Sequence, residues 1–177
     1  MARTPGVLGA TLVLYLGSFL ALVCCGERAQ RTVPTNYYLL AAFTVATSLL
    51  VAVSACAYSP LTVTLAAFFT LSIFGFLTAY SFHTKTEWSF GRAGGLALAW
   101  SLLVLALTSA FLPASAFSNA ALALVGALMF SVYIVVDTQA LLARLGPDDY
   151  VFAALSLFLD VVNLFLHVLR VLGQRER

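Results

Sequence analysis

The sequence predicts an all-α, polytopic membrane protein: one domain over residues 1–177, built as a bundle of six transmembrane helices. Three observations carry this expectation. First, 62% of the residues are apolar and only 9% are charged, against about 25% in an ordinary soluble domain. Second, Thr4–Gly26, Thr32–Thr84 and Ala93–Val136 contain no Asp, Glu, Lys or Arg. Third, the longer of these stretches are interrupted at Ser59-Pro60 and Leu112-Pro113, where proline stops a helical ladder and biases its predecessor away from helix. A mean hydropathy of +1.01 leaves too little polar surface to cover a soluble core. Disorder is excluded by high hydrophobicity with a net charge of only +2. Nucleic acid is excluded as a partner because the basic residues form no stripe.

A helix needs about 20 residues to cross about 30 Å of hydrocarbon. The first uncharged stretch therefore holds one span, about 7–25, for which a signal peptide is the competing reading. The second holds two, 37–57 and 61–82, on either side of Pro60. The third holds 94–112 and the start of 119–143, with Ser115, Ser118 and Asn119 supplying the loop between them. The turn Arg144–Asp149, containing Gly146 and Pro147, stops the fifth span, and the sixth runs over 150–172. A membrane barrel would instead show alternating segments of roughly ten residues. Glycine, alanine, serine and threonine recur through the spans, as close helix packing in lipid requires.

Loop charge sets the expected orientation. Arg28 and Arg31, Lys85 and Arg92, and Arg144 fall in three loops on one side, which is placed in the cytosol. The tail with Arg170, Arg175 and Arg177 then falls on the opposite side, against the rule.

Asp137 and Asp160 are the acidic residues inside the spans. Each costs several kcal/mol in a bilayer unless paired, protonated or facing water. Asp137 lies seven residues before Arg144 and Asp160 eleven after Asp149. Those depths, roughly 10 and 16 Å, allow antiparallel neighbours to bring the carboxyls together. No Lys or Arg lies at that depth in any span. The two are expected to share a proton and act as a pH-sensing, gating pair. With both ionised they form a hard-oxygen site suited to Ca²⁺. The bland alternative is two protonated side chains that merely hold helices together. An intramembrane aspartyl protease also needs two such residues, but Val-Val-Asp137-Thr and Phe-Leu-Asp160-Val do not fit that pattern, and no enzyme activity is expected.

Gln139, Asn163 and His167 are candidates for a polar path beside the pair. The competing readings are interhelical bonds for the amides and a place near the interface for His167, with Arg170 snorkelling. Cys24 and Cys25, at a span end, are candidates for lipidation or small apolar residues; no zinc or disulfide pattern exists. Trp88, Trp100 and the tyrosines near span ends fit an aromatic belt. No cofactor is expected beyond calcium as a bound or permeating ion. Membrane lipids are the expected surroundings, and the sequence carries no signal for an oligomeric state.

The stretches Asp148–Leu166 and Gly126–Leu142, which contain the two aspartates, resemble the C-terminal signature of the transmembrane Bax-inhibitor family, Lifeguard branch. The loop Phe82-His-Thr-Lys-Thr-Glu87-Trp-Ser-Phe, and Cys24-Cys-Gly-Glu-Arg28 with Pro34-Thr-Asn36, are similar to further family segments; the resemblance covers about residues 10–173. It implies a helical membrane fold with a central last helix. It also implies a pH-sensitive Ca²⁺ leak gated by Asp137 and Asp160, restraint of apoptosis, and residence in the endoplasmic reticulum or Golgi. The family has seven helices, so the first is expected to be missing, as in a compact viral homologue, splice form or truncated paralogue. A basic latch on the aspartates, thought to exist in some members, has no counterpart. The alternative function is a non-conducting interaction protein that binds membrane death regulators or receptors.

Overall fold

The computed structural model describes residues 5–24, 32–84, 116–143 and 149–176. These form the helices α1 (Pro5–Cys24), α2 (Thr35–Ala55), α3 (Pro60–His83), α4 (Ala116–Ala143) and α5 (Tyr150–Leu172), and a short 3₁₀ turn, Gly173–Glu176. Five helices thus lie within a few residues of the bounds expected for spans; 94–112 lies outside the described residues. Among the described residues, α2, α3, α5 and Ala121–Ala143 of α4 are long and apolar enough to cross a membrane, and α1 has 20 residues. The exposed side chains include Val13, Leu61, Phe68, Phe76 and Leu128, a surface suited to lipid rather than water. The chain is an integral membrane protein.

Pro60 opens α3 at its first turn, where a missing N–H costs nothing and φ is already helical. The preceding α2 is closed by Cys56 N–H donating to Ala52 C=O at 3.0 Å. Within the helices, hydroxyls turn back on their own backbone: Thr44, Thr47, Ser72 and Ser131 each donate to the carbonyl four residues earlier at 2.8 Å. With no water in hydrocarbon, this local acceptor is the one always at hand.

The helices and their contacts divide into two compact units. In the first, α1 packs on α2. Leu22, Phe43 and Ala46 are fully buried there. Phe43 receives the rings of Tyr15 and Phe19 at centroid distances of 5.2 and 6.0 Å. The same unit takes in the first turns of α5. The buried Asn36 Nδ2 donates to Tyr150 Oη at 2.7 Å, and the rings of Tyr37 and Tyr150 lie 5.8 Å apart. One polar bond and one aromatic contact therefore tie the start of α5 to the start of α2.

The second unit contains α3, α4 and α5 from Leu157 onward. Thr62, Ala66 and Thr70, each four residues from the last, form the buried stripe of α3, which packs on α4. Small side chains at that spacing let two backbones approach. Ser81 is buried and donates to its own helix at Leu77 O, 2.9 Å, and across to Val135 O on α4, 3.3 Å.

Replacing Phe43 by Ala empties the ring cluster of the first unit. The expected loss is about 3–5 kcal/mol, read as a lowered midpoint of unfolding in mixed micelles. An unchanged midpoint would show that the α1–α2 core does not depend on this ring.

Candidate functional site

On α4, Tyr133, Ile134, Val135 and Val136 are four consecutive residues, none more than 7% exposed. Four successive positions go once round a helix, so α4 is enclosed on every side at this turn. Thr138 is also buried and bonds back to Ile134 O at 2.6 Å. Asp137 stands among these residues, half-buried. The Ser81 bond pins α3 to the same turn.

On α5, Asp160 heads a buried line with Leu164 and Val168 at four-residue spacing. Its polar residues fall on one face as well: Asp160, Asn163, His167 and Arg170 follow at intervals of three and four. The carboxyl of Asp137 is the charged neighbour of Asp160 across the two helices. Oδ2 of Asp160 is buried, and no hydrogen-bond donor reaches it.

A hydrogen bond between two carboxyls requires a proton on one of them. Two negative charges in contact, half-buried and buried, repel strongly at low dielectric. One proton shared between the two carboxyls would relieve that repulsion. Loss of that proton leaves two carboxylates facing each other, a charge pattern that attracts a cation. Ca²⁺ takes about six to eight oxygens, and among the described residues no third acidic, histidine or cysteine ligand joins the pair. A calcium ion there would complete its shell from carbonyls, hydroxyls or water.

The remaining sequence candidates are spread out. Asn163 donates from Nδ2 to Leu159 O at 2.8 Å and so bonds within its own helix. Gln139, half-buried, stands about 200° round α4 from Asp137. His167 packs against α4 at Gly126 and Phe130. Cys24 is the last residue of α1, and its side chain and Cys25 lie outside the described residues, as do Trp88 and Trp100. Two contacts had no reading in the sequence: Asn36 with Tyr150, and Gly126 with His167. Each joins residues of ordinary type across distant helices, and no spacing rule pairs them.

Comparison with known proteins gives the context. A family model described as "Inhibitor of apoptosis-promoting Bax1" matches residues 2–177. Mouse protein lifeguard 4 is 37% identical over 92% of this chain and 68% of its own length. Bax inhibitor 1 of Schizosaccharomyces pombe is 35% identical over 92% of this chain, which covers 62% of that relative. The Golgi anti-apoptotic protein of vaccinia virus is 37% identical over 78% of this chain and 58% of its own length.

Asp160→Asn supplies an amide donor where the shared proton sits. The variant is expected to keep the helices together in detergent without a fall in thermal stability toward pH 8. The native protein is expected to lose stability toward pH 8, because its unfolded chain releases the proton that the folded pair retains. Equal pH profiles for the two proteins would remove the shared proton.

Proposed function

We propose, from the premise that this chain belongs to the Bax1-I family of inhibitors of apoptosis-promoting Bax1, that it restrains cell death as a proton-controlled calcium leak in an intracellular membrane. Regulation of apoptosis by a membrane protein is the broad reading that the family and the anti-apoptotic relatives support. The observation behind the finer reading is the carboxyl pair. Asp137 and Asp160 meet inside apolar helices, a costly arrangement that purely structural bonding between helices does not need.

The mechanism follows from the pair's two charge states. With one proton shared, α4 and α5 are joined and the site repels no counter-charge. With the proton lost, the carboxylates repel one another and favour either separation or a divalent cation between them. Protons and Ca²⁺ thus compete for the same oxygens. Each shifts the equilibrium only by its differential affinity for the closed and open arrangements. The Golgi, or the endoplasmic reticulum that feeds it, is the compartment this reading favours. Its support is that the viral relative is a Golgi anti-apoptotic protein by name.

The test is flux. The full chain in liposomes loaded with Ca²⁺ and a calcium indicator is expected to leak at a rate that depends on pH near neutrality. Asp137→Asn and Asp160→Asn are each expected to make that rate independent of pH. A protein that suppresses cell death yet passes no Ca²⁺ at any pH would overturn the leak and leave a non-conducting interaction protein.

A further inference from the structure

His167 stands two turns beyond Asp160 on α5, where α4 receives it in a fitted slot. The floor of the slot is Gly126: a Cβ at this position would run into the imidazole at Cε1, Nδ1 and Nε2 together. One turn along α4, the Phe130 ring stacks on the imidazole at 5.6 Å between centroids and 26° between planes. Nδ1 is buried and has no hydrogen-bond partner. Glycine at 126 thus leaves the room the imidazole occupies, and a larger residue here would displace the ring.

This enclosure discriminates between the two forms of the ring. Neutral imidazole has one N–H and one bare nitrogen. A bare nitrogen at Nδ1 leaves one acceptor unmet. A protonated ring carries a buried N–H at Nδ1 with no acceptor opposite it, a desolvation cost set against the attraction of a cation for the Phe130 face. The titratable and charged groups around it are few among the described residues. On α5 they are Asp160, two turns back, and the exposed Arg170, one turn on. On α4 they are Tyr133, whose ring meets Phe130 at 5.8 Å, and Asp137, eleven residues from Gly126 and so about 16 Å along the axis. On α3, which packs on α4, they are Tyr80 and His83.

We propose that His167 is a proton-binding site separate from the carboxyl pair: the uncharged imidazole locks α5 to α4 at Gly126, and proton uptake drives the ring out of the slot. Nothing in this requires the pair to conduct calcium. A low-pH signal reaches α5 at two levels, one favouring the joined carboxyls and the other releasing the imidazole, so the helix is rearranged rather than simply fastened.

The experiment uses the full chain in lipid nanodiscs, with ¹³C-labelled histidine and 4-fluorophenylalanine at position 130. The chain has two histidines, and His83→Gln assigns the His167 resonance. The expected result is that the ¹⁹F shift at position 130 moves in step with titration of His167. It is expected to lose that component in His167→Phe, which retains a ring but no titrating nitrogen. Gly126→Ala is expected to show the low-pH ¹⁹F signal at every pH. Asp137→Asn is expected to leave the coupled titration in place, which separates this site from the leak. A ¹⁹F signal that ignores His167 titration, or one whose pH profile is the same in His167→Phe, overturns the proposal. Because those two results need no substitution at 126, misfolding of Gly126→Ala leaves the test intact.

Discussion

Two carboxyl groups in contact within apolar helices are the constraint on which the second unit of this protein depends. Neither can be ionised cheaply beside the other, and no Lys or Arg lies at their depth in any span. The nearest cation on α5, Arg170, stands ten residues on and is exposed. The surroundings are consistent with that demand. α4 is enclosed on all sides one turn before Asp137, and Ser81 fixes α3 to the same level. A proton shared between two such carboxyls, as proposed above, would be a joint that a change of pH makes or breaks while an ordinary core is untouched.

The polar groups of the helices fall into two kinds. Most hydroxyls satisfy themselves on the preceding turn, as Ser54, Thr64 and Ser72 do at 2.8–3.0 Å. Such bonds hold at any pH and carry no signal. Asp160 Oδ2 and His167 Nδ1 are different, since each is buried without a partner. Thr70 and Thr78 are left with unmet hydroxyls too, but hydroxyls do not titrate in the physiological range. Asp160 and His167 lie on one face of one helix, seven residues apart.

Much of this was legible in the sequence because lipid imposes so few solutions. A backbone that must satisfy itself in hydrocarbon is helical, so uncharged stretches and prolines located α1 to α5 to within a few residues. Pro60 and the Arg144–Asp149 turn set boundaries that the helices respect. Asp137 and Asp160 stood out because an acid in such a stretch is expensive, and antiparallel depth arithmetic suggested their meeting. The Gly126–His167 contact was not legible, because glycine is common in membrane helices and only the opposing helix reveals what it accommodates. The Asn36–Tyr150 bond was hidden for a similar reason: an asparagine and a tyrosine near span ends fit an interfacial belt equally well. Gln139 shows the limit of reading polarity without angle, since two residues along a helix turn it away from its neighbour's face.

The most direct test of the central claim is to count protons on the pair at neutral pH. Infrared difference spectra of the native protein against Asp137→Asn and Asp160→Asn in lipid report the carbonyl stretch of a protonated carboxylic acid. One such band, lost in each variant, is the result expected of a shared proton. A native protein with no protonated carboxyl at neutral pH, or with two, would contradict it.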